Sequence, residues 1–240
     1  MNTLKTLIGV SGLIIALGGW SMANAATYTF NLTKTGGQDG TSEKTIATKS
    51  TNNDYTYSFT KTASGSPSLT AIGFRKIDNT TENATTENAK SLNLWDGGIG
   101  LINKNERNTT PQHTIDNQDG IDYILFQFDK AVKITDIVLG YVYRDGDIAY
   151  GTGDSGINGL KEIARTGGSF GDNPFSLTSY SNTWLIAAGI TPEDSVPDYF
   201  KIKSITVETP TVPLPAAVWL FGSALLGMVG IGYRRQTKQI

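Results

Sequence analysis

Cysteine is absent from the sequence, and histidine occurs once, at His113. Those two facts remove thiol catalysis, cysteine–zinc sites, iron–sulfur clusters and a lipidated-cysteine anchor, and they leave no multi-histidine metal centre within one chain. Charge is scarce as well, at 18% of residues against a usual quarter, with a formal net charge of −2. Setting aside Lys5, Arg234, Arg235 and Lys238, which lie near the two ends, leaves 16 of the 20 basic residues against all 22 acidic ones, a net of about −6 for the body. Such a surface is acidic and soluble and a poor partner for nucleic acid. Between residues 26 and 208 there is also no sustained helical period and no long apolar run.

What remains favours strands and turns. Gly is 27 of 240 residues, aromatics are 10%, and 38% of the chain is hydrophobic, enough for one core without disulfides. Alternation marks "TYTFNLT" (27–33) and "YTYSFT" (55–60) as half-buried strands, with "LTAIGF" (69–74) and "SLNLW" (91–95) weaker. "IDYILFQF" (121–128) is apolar on both faces and belongs at a sheet centre, while "VKITDIVLGYVY" (132–143) shifts phase near Asp136, the signature of a bulge. "TWLIAAGI" (183–190) and "YFKIKSITVE" (199–208) complete the set. This pattern predicts an all-β fold, an antiparallel β-sandwich of jelly-roll-like or immunoglobulin-like type. "IDNTTENATTENAKS" (77–91) reads as a surface loop or edge ornament, and the Gly-rich stretch 151–176 as a long excursion with one short turn of helix near Leu160 to Ala164.

The two ends differ from the body. Lys5, then an apolar run from Leu7 to Leu17, then Ala23-Asn24-Ala25, match a secretory signal (1–25) cut by signal peptidase to leave Ala26 as the first mature residue. The body is thus expected over 26–207, followed by a Pro/Thr linker at 208–215. From Ala216 to Tyr233 there are 18 uncharged residues, about 27 Å as a helix at 1.5 Å per residue, close to the thickness of a bilayer core. Trp219 and Tyr233 suit the two interfaces, and the basic tail 234–240 predicts a cytoplasmic end with the body exported.

Proline pair, apolar helix and basic stop, in "VPLPAAVWLFGSALLGMVGIGYRR" (212–235), closely resemble the PEP-CTERM sorting signal of Gram-negative bacteria. The resemblance implies that a membrane-embedded exosortase, a cysteine transpeptidase-like enzyme, recognises and processes the exported chain. Val212 leads in, Pro213-Leu214-Pro215 occupies the Pro-Glu-Pro place with Leu214 where glutamate gives the signal its name, and Arg234-Arg235 is the cytoplasmic stop. Prolines hold such a lead-in extended, the form that transpeptidases bind, and the helix parks it at the outer membrane face. Within the body, "DNQDGIDYILFQF", "VLGYVYRDGDIAY", "NTWLIAAG" and "DYFKIKSI", in that order across residues 116–207, resemble the exosortase-dependent surface protein family. That family has no assigned catalysis.

Candidate chemistry is confined to acidic turns and exposed aromatics. Asp116, Asn117, Asp119 and Asp122 crowd one turn, and Asp145 and Asp147 another. Carboxylates in turns are the usual calcium donors, so these six are candidate ligands for a structural calcium, although aspartate also favours turns for backbone reasons alone. "DNQDG" lacks EF-hand spacing, because counting back from Gly120 puts Ile115 at the first ligand position. Paired carboxylates also serve glycosidases, but sequence measures no separation between them. His113 has no nucleophile elbow near it and reads as a solvated loop residue. Trp95 beside "DGGIG" is the candidate glycan contact, whereas Trp184, flanked by Leu185 and Ile186, reads as core. Sequons at Asn31, Asn79, Asn83 and Asn108 are what a chain rich in Asn and Thr throws up. The expectation is a non-enzymatic surface or matrix protein, associated with exopolysaccharide or biofilm and handled by an exosortase. The alternatives are a carbohydrate-binding module, an envelope glycoside hydrolase, and a plain single-pass membrane protein.

Overall fold

A computed structural model describes residues 25–34, 45–77, 86–104, 106–108, 111, 113–118, 120–163, 179–190, 196–211 and 221–225. Ala25–Pro210 forms one compact unit; Met1–Asn24 with Thr211–Ile240 forms a second. The expected signal helix and sorting motif lie outside the described residues. Of the expected membrane span only 221–225 are described, and they are helical and exposed. Among the described residues no helix is long and apolar enough to cross a membrane.

The larger unit is antiparallel β, as the alternation and turn chemistry imply. Its thirteen described strands are β1 (Thr27–Asn31), β2 (Thr45–Lys49), β3 (Thr56–Lys61), β4 (Leu69–Lys76), β5 (Thr86–Asn88), β6 (Ser91–Trp95), β7 (Gly98–Ile102), β8 (Ile115–Asp116), β9 (Ile121–Val142), β10 (Ile148–Thr152), β11 (Lys161–Ile163), β12 (Ser181–Ala188) and β13 (Tyr199–Glu208). Everything is organised on β9. Its first half lies between β4, in register from Leu69↔Phe128 to Lys76↔Ile121, and β12, from Thr183↔Gln127 to Ala187↔Tyr123. Beyond β4 come β3 and β2, with β5 pairing the end of β4; beyond β12 come β10 and β11. Its second half pairs with β13, whose other edge carries β1, β7 and β8.

The predicted strands 121–128 and 132–143 are therefore one 22-residue strand. The bulge expected near Asp136 is present: Thr206 faces Asp136 but Val207 faces Ile134, leaving Thr135 as an extra residue. Because side chains alternate with a period of two, one extra residue exchanges the inward and outward sets. Inward residues on β9 accordingly step from Val132 and Ile134 to Ile137. A second bulge at Lys203, between Ile202↔Leu139 and Ser204↔Val138, does the same on β13, where Phe200 and Ile202 give way to Ile205 and Val207.

Trp184, Phe30, Phe59, Phe126 and Phe200 are fully buried in the main core. The opposite face of the β9 centre is covered as well, by a smaller cluster of Ile121, Tyr123, Leu160 and Leu185 with Phe74 stacked on Tyr123 at 5.3 Å. That double burial explains why 121–128 reads as a continuous apolar run. One expectation is corrected here. Helical turns lie a few residues earlier than expected, as 3₁₀ turns at Gly153–Ser155 and Ile157–Gly159, and Lys161–Ile163 is instead the strand β11 on β10, while Ala164 lies outside the described residues. "LKEI" has good helix propensity, but the turn ending at Gly159 is not continued, Leu160 is extended, and pairing with β10 wins. Residues 77–91 do carry an edge element, β5, on Phe74–Lys76.

Candidate functional site: two acidic groups and a buried lysine

The six acidic and amide candidates do not form one site. Asp116 ends β8 and Asn117 follows it, so their side chains leave the chain in opposite directions. Asp116 joins Asp122, the second residue of β9, and Glu106, which sequence reasoning had not singled out. One carboxylate oxygen from each lies within 4.8 Å of the others. Asn117 turns instead to Asp198, just before β13, while Asp145, Asp147 and Asp198 form the second group at the same spacing. Asp119 lies outside the described residues.

The first group is the more deeply buried. Asp122 is 1% exposed and Asp116 3%, with Glu106 half-buried. Burial, the neighbouring Asp116 and Glu106 charges pushing the same way, drives the Asp122 carboxyl well above the usual carboxylate range. The amide of Asn103 donates to Asp122 Oδ1 at 2.5 Å, and the Asn103 backbone N–H donates to Glu106 Oε2 at 2.6 Å. Gln118 N–H donates to Asp116 Oδ1 at 3.2 Å. Gly120 makes the approach to β9 possible: its φ is +125°, and a Cβ there would run into the Lys76 carbonyl.

The second group is satisfied from within. Asp198 is buried; its Oδ1 accepts from Asp147 N–H at 2.8 Å, and its Oδ2 from Asn117 Nδ2 at 2.8 Å and Gly189 N–H at 3.1 Å. Asp198 N–H donates back to Asn117 Oδ1 at 2.9 Å. Burial nevertheless raises the Asp198 carboxyl to about 7, opposed by the Asp147 N–H and reinforced by the charges of Asp147, Asp145 and Glu162.

Trp95 is half-buried rather than an open platform. His113 stacks on it, ring centroids 4.8 Å apart and planes 17° from parallel, so one ring face that a sugar would use is occupied. His113 is therefore not a free-standing loop residue, and burial, then the Lys201 charge, lowers its pKa. The Lys201 ammonium lies 4.5 Å from the Trp95 centroid and 5.1 Å from that of Tyr141. Lys201 is buried, and loss of hydration lowers it to about 8. Trp184 meets its expectation: it is fully buried, and its Nε1 donates to the Val132 carbonyl at 3.1 Å.

Lys201→Met keeps the apolar stem and removes the desolvated charge, so it is expected to stabilise the fold at neutral pH. The sign of the pH dependence is fixed by the lowered pKa. Between about 8 and the ordinary 10.5 the unfolded chain holds the Lys201 proton and the native state does not, so the wild type gains stability as pH rises there. The advantage of Lys201→Met in urea unfolding should then be full below pH 8 and gone near 10.5; a constant difference across that range would show that the charge is not the cause. No protein-family model, no curated protein and no solved structure matches this chain.

Proposed function

We propose that the chain is an exported, non-enzymatic surface or matrix protein of a Gram-negative bacterium, whose closing residues are read by an exosortase and whose body works in the envelope or exopolysaccharide. The resemblance of Val212 to Arg235 to a PEP-CTERM signal supports this reading, together with one structural observation that carries it. The body closes on itself at its two ends: β1 pairs with β13 from Thr27↔Glu208 to Asn31↔Ser204, and the Ala26 carbonyl accepts from Thr209 N–H at 2.9 Å. The expected signal-peptidase site after Ala25 and the sorting motif at 212–215 both fall outside that ladder. Removing the residues before Ala26 or after the motif would take away no described strand. The finer architecture that we propose is a β-sandwich, in which β9 runs from one layer into the other and Trp184, Phe126, Phe30 and Phe200 fill the space between them.

Intact mass and membrane fractionation, in cells with and without the exosortase, test the sorting reading. The expected result is a mature species beginning at Ala26 in both, shortened at its C-terminal end only where the exosortase is present. An identical mass and location in the two strains would remove it.

A further inference from the structure

The two acidic groups differ in how their buried carboxylates are satisfied. Asp198 receives three N–H donors, which account for it without any added ion. Around Asp122 the count fails. Its carboxyl takes the Asn103 amide on Oδ1 and is backed by the Asp116 N–H, but its Oδ2 has no partner in hydrogen-bond geometry among the described residues, and neither has Oδ1 of Asn103, in the side chain that lies against it. Asn103 is only 2% exposed, so neither oxygen is answered by bulk water. Glu106 and Asp116 add two more acceptor-only groups to the same few ångströms. Buried polar atoms are nearly always paired, and buried charges either find a counter-charge or coordinate a metal. Arg75 faces Asp122 in register on β4, and its guanidinium lies 4.0 Å from Glu87.

We propose that Glu106, Asp116 and Asp122, with the side-chain oxygen of Asn103, hold one divalent cation of the calcium class. The donor set is all oxygen, which selects a hard cation. Calcium accepts six to eight oxygens in irregular geometry and completes its shell with backbone carbonyls or water, whereas magnesium demands a near-ideal octahedron. A divalent ion would offset the charge of the two buried carboxylates, Asp116 and Asp122, with Glu106 reaching it from the half-exposed side. The ion would join the turn after β7 (Asn103 and Glu106), β8 (Asp116) and the start of β9 (Asp122). It would thereby hold the connection that lays His113 on Trp95. This inference stands apart from the sorting reading, since it concerns the body alone.

The test uses the full chain in detergent, stripped with a chelator and titrated with calcium chloride alone, with magnesium chloride as the comparison. Calorimetry and thermal unfolding are read together. One equivalent of calcium should bind and raise the melting temperature, and the summed tryptophan fluorescence should change with it. Glu106→Gln, on the half-exposed side, should weaken calcium affinity ~10-fold or more. Asp122→Asn should abolish the response while melting no lower than the metal-free wild type, because it replaces a buried carboxyl whose Oδ2 has no partner. Should Asp122→Asn fail to fold, Glu106→Gln decides. The double variant Asp145→Asn/Asp147→Asn should respond as the wild type does. The proposal is overturned by silence at about 10 mM calcium, well above the range of extracellular calcium modules. It is equally overturned by a response that survives Glu106→Gln unchanged, or by one that vanishes in the Asp145/Asp147 double variant.

Discussion

Trp184→Ala is expected to lower the melting temperature of the body by roughly 10–15 °C, the largest effect of any single substitution considered. Trp184 sits in β12 between Phe126 on β9 and Thr152 on β10, and none of its surface is exposed. Truncation removes a whole indole from packed surroundings that collapse only partly, a loss of about 3–5 kcal/mol for Trp→Ala in cores. It also strips the Val132 carbonyl of its donor at the point where β9 passes from its β12 partner toward β13. Trp184→Phe restores most of the packing and none of the hydrogen bond, so it should cost roughly 1–2 kcal/mol. Trp95→Ala, at a half-buried ring, should fall below Trp184→Ala by a wide margin. Urea unfolding followed by circular dichroism gives all three. Equal midpoints for Trp184→Ala and Trp95→Ala would mean that Trp184 is not the keystone of the core.

Asp198→Ala should come second, at about 3 kcal/mol, because it orphans Asp147 N–H, Gly189 N–H and the Asn117 amide together, each worth about 1–3 kcal/mol when left unsatisfied and less than additive as a set. The same residue sets a pH signature. Its carboxyl stands at about 7 in the fold against an ordinary 3.8, so between those values the native state binds a proton that the unfolded chain has lost. Stability contributed by this group is complete below about pH 4 and is lost as pH rises through about 7. Asp198→Asn cannot titrate and should flatten that part of the profile, while Asp122, raised in the same direction, contributes equally to both proteins. A wild-type slope unchanged by Asp198→Asn would locate the titrating group elsewhere.

Much of the strand content was legible because alternation survives wherever one face is buried. β1, β6, β12 and β13 lie at or within a few residues of where the pattern puts them, and the phase shift near Asp136 corresponds to a real bulge. What escaped has physical causes. "GIGLI" in β7 carries no polar face to alternate with, since all five residues are buried, and its Gly98, at a φ of +121° with the Ile202 carbonyl where a Cβ would be, leaves room for glycine alone. β2 and β8 are too short or too polar to show a period, and β11 looks helical until its partner is known. The acidic turn misled in a different way. Proximity along the chain joined Asn117 to Asp116, whereas the pleat separates them. Glu106, Asn103 and Asp198 carried no local signal, because their relation to Asp122 or to Asn117 exists only after β7, β8, β9 and β13 have come together.

The closure of the body by β1 on β13 has a mechanical corollary. β13 is gripped on both edges, by β1 and by the second half of β9. A load entering at Thr209 and directed along the strand must shear two ladders at once instead of peeling one bond at a time. Resistance to such a pull is a matter of unfolding rate rather than equilibrium. A protein tethered by its last residues in a moving matrix would thus bear force through its best-held strand.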